Sequence, residues 1–201
     1  MSVLNNNVYE NDKENILKEA EALIEENTLE STQEAIQKLA TLKGWSKADD
    51  LLNKEYEILQ ESVEYQNSRL PELDSNLAEM EKCFKKIRFW KKIFIVDIFL
   101  MIISVLFSRY AIFNFYTDET MIFGMAILAG NIFVLALLLT SFIRTYLCNT
   151  KFGVLNGQKV NFFADKSYFA KRIHNTEIEI LNVQKYVISA ELLLTDIEKI
   201  K

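Results

Sequence analysis

The stretch Lys85–Phe107, KKIRFWKKIFIVDIFLMIISVLF, passes from a basic cluster directly into an apolar run. Six basic residues lie within residues 82–92. The apolar run begins at Ile93, and its fifth residue is a carboxylate, Asp97. A second apolar run follows at Met121–Ile143. These two runs decide the fold, because each predicts a membrane-spanning helix.

A helix needs about 20 apolar residues to cross the hydrocarbon core of a bilayer. The second run meets this length, and the first meets it if Arg109 lies at the interface with its side chain reaching the headgroups. The alternative is a pair of core helices in a soluble protein. A chain of 201 residues has little else with which to enclose two such helices. We therefore predict a two-span hairpin over residues 93–144.

The distribution of lysine and arginine predicts the orientation of the hairpin, since cytoplasmic flanks are enriched in these residues. The basic cluster before the first span consists of Lys82, Lys85, Lys86, Arg88, Lys91 and Lys92. Arg144, Lys151 and Lys159 follow the second span, whereas the linker 109–120 has one arginine against two acids. Both termini are predicted to be cytoplasmic, in the plasma membrane. The cluster either enforces this topology or also binds anionic headgroups.

The charge and the reactive residues exclude several functions. Residues 1–81 hold 19 Asp and Glu against 7 Lys and Arg, which argues against nucleic-acid binding. Cys83 and Cys148 are too few and too far apart for a disulfide framework, and we expect free thiols on the reducing side. His174 is the single histidine, so a zinc site or a histidine triad is not expected. We predict no enzyme, no cofactor and no small-molecule substrate.

The polar residues of the two spans fall at matching depths. Asp97 lies five residues past Lys92, about 7.5 Å along a helix that rises ~1.5 Å per residue. Counting back from Arg144 on the antiparallel span brings Thr140 and Ser141 to this depth. The same count brings Ser104 level with Asn131. Because isolated polar groups are costly in hydrocarbon, helices turn them towards each other, and we expect Asp97 near Thr140/Ser141 and Ser104 near Asn131.

Two readings of these polar residues remain open. In the first, they join the helices, and Asp97 forms an ion pair with the adjoining basic cluster. In the second, they line a water-filled path with Asp97 at its mouth. Two small-residue spacings in the second span, Ala126-xxx-Gly130 and Ala136-xxx-Thr140, would allow close approach of a neighbouring helix.

Apolar residues alternate by three and four on both sides of the hairpin, which predicts a coiled-coil seam. The upstream helix, 51–92, carries Leu59, Val63, Leu70, Leu73, Leu77, Met80 and Phe84, with a kink at Pro71. The C-terminal helix, 166–201, carries Ile180, Val183, Val187, Leu194 and Ile197. The upstream phase runs on into Ile98 and Met101. A juxtamembrane loop is expected over 145–165, because Asn156-Gly157 is a turn signal.

The C-terminal helix has a wider apolar face than a two-stranded seam requires. Leu181, Ile188 and Leu193 extend it, and this width would cover the N-terminal helices or a second subunit. The two long helices are predicted to pack antiparallel, since the hairpin returns the chain to the same side of the membrane.

The first fifty residues predict a pair of short helices. Ser31-Thr-Gln-Glu34 has the spacing of a capping box that opens the second helix, which is expected to end at Gly44. The segments ILKEAEALIEEN and EAIQKLATLKGWSKADDLL, within about residues 14–60, resemble one tetratricopeptide-type unit of the kind seen in Gram-positive bacterial proteins. The resemblance implies a helical, partner-binding surface and no catalytic residue. The layout also resembles that of two-span bacterial effectors of the SLATT type.

The sequence as a whole predicts an all-α membrane protein. A two-span hairpin is continuous with a cytosolic antiparallel coiled coil and a small N-terminal helical pair. The favoured function is a membrane-anchored scaffold whose partners are the bilayer and another protein or further copies of the chain. The alternative is an oligomeric pore or membrane-disrupting effector.

Overall fold

The computed structural model describes residues 2–115 and 121–201, with the side chains of 2–9, 112, 114, 115, 121 and 122 left aside. Within these residues the chain forms helices and no strand, as the sequence predicts. The helices are α1 (Ser2–Glu25), α2 (Leu29–Ala40), α3 (Ser46–Phe115), α4 (Met121–Leu155) and α5 (Lys166–Ile200). Residues 116–120 of the predicted linker 109–120 lie outside the described residues, whereas residues 109–115 belong to α3.

The chain divides into two compact units. The first unit, which we call the head, comprises Met1–Leu73 and Ile178–Lys201. The second, the hairpin unit, comprises Asp74–Glu177. Helices α3 and α5 contribute residues to both units.

The head is built around an apolar core to which all of its helices contribute. Its buried members include Ala20 of α1, Leu39 of α2, Leu52 of α3 and Ile197 of α5. Three side-chain contacts join α3 to α5, and their order shows that the two helices run antiparallel in this unit. The contacts are Tyr56 Oη to Glu198 Oε1 at 2.7 Å, Ser62 Oγ to Tyr186 Oη at 2.7 Å, and Arg69 to Glu179 at 3.1 Å.

All residues predicted for the seam are buried or partly buried. Seven are buried: Leu59, Val63, Met80, Ile180, Val183, Val187 and Ile197. Five are partly buried: Leu70, Leu73, Leu77, Phe84 and Leu194. All but Leu77 and Ile180 belong to one of two separate cores, with Met80 and Phe84 in the core of the hairpin unit. The three-and-four spacing therefore identifies the packed face of each helix.

The start of α2 differs from the prediction by one helical turn. Thr28 is the N-cap: its backbone is extended (φ −115°, ψ 150°), and its Oγ1 accepts a hydrogen bond from the Ser31 N–H at 3.1 Å. The side chain of Ser31 in turn reaches the Thr28 backbone N–H, so the capping box is Thr28–Ser31 rather than Ser31–Glu34. The cause is Asn27, whose positive φ of 53° reverses the chain directly before Thr28. Helix α2 also ends earlier, at Ala40.

Helix α3 continues through Pro71 without a break. A proline in a helix removes one N–H donor and crowds the carbonyl four residues earlier. Both Pro71 and that residue, Asn67, are exposed, so the freed carbonyl group can be hydrated. A kink at this position stays a prediction.

Helix α4 extends to Leu155, so the predicted loop 145–165 is wrong for its first half. Gly157 has a φ of +64°, and its N–H donates to the Val154 carbonyl at 3.1 Å. The N–H of Gln158 donates to the Gly153 carbonyl at 2.9 Å. These two bonds form a Schellman motif, in which a left-handed glycine ends a helix. Asn156-Gly157 is thus a helix stop and not the turn of a hairpin.

Two helices contain stretches that are long and apolar enough to cross a membrane, by length and composition. They lie within α3 (Ser46–Ala111) and α4 (Phe123–Leu155). Only 6% of each most apolar window is buried inside the structure. The core helices of a soluble protein are mostly buried, so this exposure disagrees with the alternative of two soluble core helices.

Candidate functional site

Beyond Ile93, the least exposed residues of α3 recur every three or four positions and form one stripe. They are Phe94, Asp97, Met101, Ser104, Ser108 and Ala111. The predicted continuation of the seam through Ile98 is wrong, because Ile98 is 38% exposed whereas Asp97 is 5% exposed. Asp97 therefore lies on the packed face of α3, where the apolar spacing predicts its neighbour Ile98.

Helix α4 carries a matching stripe, which is more polar than the sequence predicts. Its members are Ile127, Asn131, Val134, Leu138, Ser141, Thr145 and Asn149. Ser141, Thr145 and Asn149 are 1%, 0% and 2% exposed. Thr145 and Asn149 were not predicted as site residues. Their spacing of four from Ser141 is the signal that identifies them, since such residues share one face of a helix.

The stripes meet in a closed hydrogen-bond network around Asn131. Ser104 Oγ donates to Asn131 Oδ1, so the structure brings together the pair predicted from matching depths. Asn131 Nδ2 donates to Ser108 Oγ at 2.7 Å, and Ser108 Oγ donates to the Ser104 carbonyl at 2.7 Å. Interhelical hydrogen bonds of this kind contribute roughly 0.6–2 kcal/mol each in membrane helices. The network fixes the register of α3 against α4.

Asp97 lies on the same interface without a comparable partner. The ring contact Phe94–Phe142 (5.9 Å between centroids) and the Ser104–Asn131 bond place it level with the turn of α4 that contains Ser141. Its Oδ2 is buried and has no hydrogen-bond partner among the described residues. No described lysine or arginine forms an ion pair with it, so the structure disagrees with the ion pair of the first reading.

The hydroxyls predicted to face Asp97 bond to their own helix instead. Thr140 is exposed and donates to the Ala136 carbonyl at 2.8 Å. Ser141 donates to the Leu138 carbonyl at 3.0 Å. Serine and threonine side chains in helices often donate to a backbone carbonyl three or four residues earlier. Both hydroxyls form this local bond here instead of a bond to Asp97. Burying a carboxylate oxygen without a hydrogen-bond partner is costly, so Asp97 is an unusual residue for this packed face.

The small-residue spacings of α4 lie on its outer face. Ala126, Gly130, Ala136 and Thr140 are all exposed, and a Cβ built on Gly130 meets nothing within 4 Å. The close approach that they would allow is therefore not used between α4 and the described residues of this chain.

The basic cluster divides into five exposed residues and one that turns inward. Lys82, Lys85, Lys86, Arg88 and Lys92 are exposed. Lys91 is partly buried, and its Nζ donates to the Ala164 carbonyl at 2.8 Å and lies 5.6 Å from the centre of the Phe169 ring. Burial lowers the pKa of Lys91, and the nearby Asp165 carboxylate opposes this effect. Lys91 therefore ties α3 to the segment that precedes α5.

A second core closes the hairpin unit beside this cluster. Phe169 packs on Phe152 and Phe84, with ring centroids 4.9 Å and 5.6 Å apart. Lys151 forms an ion pair with Glu79 at 2.8 Å, and this hydrogen bond lowers the pKa of Glu79. Cys83 and Cys148 lie in the same core. Helices α3, α4 and α5 are thus joined just outside the apolar spans.

The described residues contain no group of three or more His, Cys, Asp or Glu side chains that is able to hold a metal ion. In comparisons with known proteins, no family model, no curated protein and no solved structure matches the chain. The function is therefore argued from the chain's own residues.

Proposed function

We propose that the chain is a membrane-anchored helical scaffold. The hairpin over residues 93–144 inserts into the plasma membrane, and the head faces the cytoplasm, where it binds another protein. The uncovered apolar windows of α3 and α4 support insertion. The basic residues at the cytoplasmic ends of both spans support this orientation.

The observation that carries the scaffold proposal is a second apolar stripe on α5, which we call the outer stripe. It consists of Ile178, Leu181, Ile188 and Leu192, which are 42%, 55%, 60% and 63% exposed. The opposite face of α5 is buried in the head core. Leu193, which was predicted to widen the apolar face, is 5% exposed and belongs to that core. Several large apolar side chains exposed on one helix face are typical of an interaction site.

The spacing and charge of the outer stripe favour an amphipathic helix of a partner protein. Its residues are separated by three, seven and four positions, which places them on one face of the helix as in helix–helix packing. Lys185 lies exposed in the middle of the stripe. Two membrane-anchored copies pairing through α5 in parallel would set Lys185 against itself, which is unfavourable. A partner helix with an acidic residue at its centre would pair with Lys185 instead.

The test replaces apolar residues of the outer stripe in the full-length protein. A photo-crosslinking residue at Ile188 identifies the contacting protein in membranes, and that protein is then purified and titrated against the reconstituted chain. We expect Leu181→Ser with Ile188→Ser, and separately Lys185→Glu, to weaken binding at least tenfold. The matched control Gln184→Ser, one residue from the stripe, should bind normally. Crosslinking only to a second copy of the chain would overturn the proposal that the partner is a different protein.

A pore is the second candidate, and buried Asp97 favours it. In this case several copies associate, and the polar stripes of α3 and α4 line a path for cations. In liposomes, Asp97→Asn should then change cation leak, whereas Thr140→Val on the outer face should not. A scaffold predicts no leak from any of these proteins.

A further inference from the structure

Two cysteines that are 65 residues apart in the sequence lie in one core of the hairpin unit. Cys83 is on α3 and Cys148 is on α4, and both pack with Met80, Ile87 and Phe152. The ion pair Glu79–Lys151 joins the same two helices at 2.8 Å. Glu79 precedes Cys83 by about one turn, and Lys151 follows Cys148 by about one turn. Because the helices run in opposite directions, this ion pair sets the two thiols level with each other.

The electrostatics of the pair agree with this placement. Burial raises the pKa of the Cys83 thiol, the Lys151 ammonium opposes this effect, and negative charge on Cys148 adds to it. The hydrogen bond and charge of Glu79 raise the pKa of Lys151, and negative charge on either cysteine contributes less. The two sulfurs and the Lys151 ammonium thus interact with one another at the cytoplasmic end of the hairpin.

The two thiols differ in their access to solvent. Cys83 is 5% exposed, whereas Cys148 is half-buried. An oxidant from the cytoplasm therefore meets Cys148 first, and Cys83 lies behind it as a resolving thiol. This division of roles is the arrangement of redox-sensing cysteine pairs.

We propose that Cys83 and Cys148 form a reversible disulfide in response to a peroxide, locking α3 to α4. The Cys148 thiolate attacks the peroxide, the O–O bond breaks, and Cys148 becomes a sulfenic acid. Hydroxide or alkoxide leaves and takes up the proton that the thiol released, giving water or an alcohol. The sulfur of Cys83 then attacks the sulfur of Cys148. The S–O bond breaks, and the hydroxide leaves as water with the proton from Cys83. Two thiols lose two electrons in total, the peroxide gains them, and a dithiol reductant reverses the reaction. The proposal does not depend on the scaffold function.

The test uses the full-length protein in detergent micelles. Reduced protein is treated with hydrogen peroxide, denatured, alkylated with N-ethylmaleimide and weighed by intact mass spectrometry. We expect a monomer lighter by two hydrogens, with no maleimide adduct, and a return to two adducts after treatment with dithiothreitol.

Single substitutions provide the controls. Cys148→Ser changes a half-buried residue and should abolish the loss of two hydrogens, as should Cys83→Ala. The proposal is overturned if the wild-type Cys148 is oxidised to sulfenic or sulfinic acid while Cys83 still reacts with maleimide. Disulfides that form only between chains would overturn it as well. Both contradicting outcomes are measured on the wild-type protein, so they do not depend on whether the variants fold.

Discussion

Alanine at Gly153 is expected to destabilise the end of α4, although alanine is normally the better helix former. Gly153 lies inside α4, three residues before the Asn156-Gly157 stop. A Cβ at this position would lie 2.6 Å from the carbonyl oxygen of Gln158, because the chain folds back over the helix end. It would also lie 3.4 Å from the Val160 side chain. The obstacle is backbone, so it cannot move aside as a flexible side chain would.

The size of the effect follows from opposing contributions. Replacing glycine by alanine in a helix gains about 1 kcal/mol. The steric overlap costs about 1–3 kcal/mol, as for overpacked sites. Displacing Gln158 also weakens its 2.9 Å hydrogen bond to the Gly153 carbonyl, which costs about 0.5–1.5 kcal/mol. The net expectation is a loss of about 2 kcal/mol, concentrated at the helix stop.

Hydrogen exchange in detergent micelles measures this local effect. Gly153→Ala should reduce the protection of the amides of Gly157 and Gln158 and lower the thermal midpoint of the hairpin unit. Gly130→Ala is the matched control on the same helix. Its Cβ meets nothing within 4 Å, so it should be neutral or slightly stabilising. Equal protection in the two variants would refute the reasoning.

Three further predictions concern the two cores and a helix cap. Phe169→Ala should destabilise the hairpin unit by about 3–5 kcal/mol in thermal or denaturant unfolding, whereas Phe163→Ala, at 82% exposed, should change little. Thr28→Ala should cost the head about 1 kcal/mol, measured by denaturant unfolding, through loss of the N-cap of α2. Burial raises the pKa of the Glu55 carboxyl, so the head should lose stability as pH rises from the unfolded to the folded pKa. In thermal unfolding measured across pH, Glu55→Gln should stabilise the head above that pH interval and remove the dependence of its stability on pH.

The sequence predicts well those features that depend on the spacing of apolar residues. The two apolar helices follow from apolar runs of about 20 residues. The packed faces of α3 and α5 follow from a repeat of three and four, which is a property of helix geometry. The contact between Ser104 and Asn131 follows from counting residues on antiparallel helices and from the cost of isolated polar groups in hydrocarbon.

The sequence does not predict features that depend on the backbone conformation of a single residue or on competition between alternative hydrogen bonds. Asn156-Gly157 is equally suited to a hairpin turn and to a helix stop, and only the path of the chain over Gly153 distinguishes them. Asn27 reverses the chain and moves the cap of α2 to Thr28. Apolar spacing assigned Ile98 to the seam, because a carboxylate is not expected there.

The polar and reactive residues of the site were only partly predictable. Thr145 and Asn149 lie just beyond the apolar run of the second span, so the cost of polar groups in hydrocarbon does not predict that they are buried. The pairing of Cys83 with Cys148 depends on the register of α3 against α4. The Ser104–Asn131 contact gives that register approximately, and the Glu79–Lys151 ion pair, which the sequence does not predict, brings the two cysteines to the same level.

The most direct test of the account is the topology of the hairpin in intact cells. Single cysteines are placed at Asp118, in the linker between the spans, and at Lys201, in a background with Cys83→Ala and Cys148→Ser. The cells are treated with a membrane-impermeant maleimide. We expect labelling at position 118 in intact cells and labelling at position 201 only after the membrane is permeabilised. Protection of position 118, or labelling of position 201 in intact cells, would contradict a two-span anchor with a cytoplasmic head.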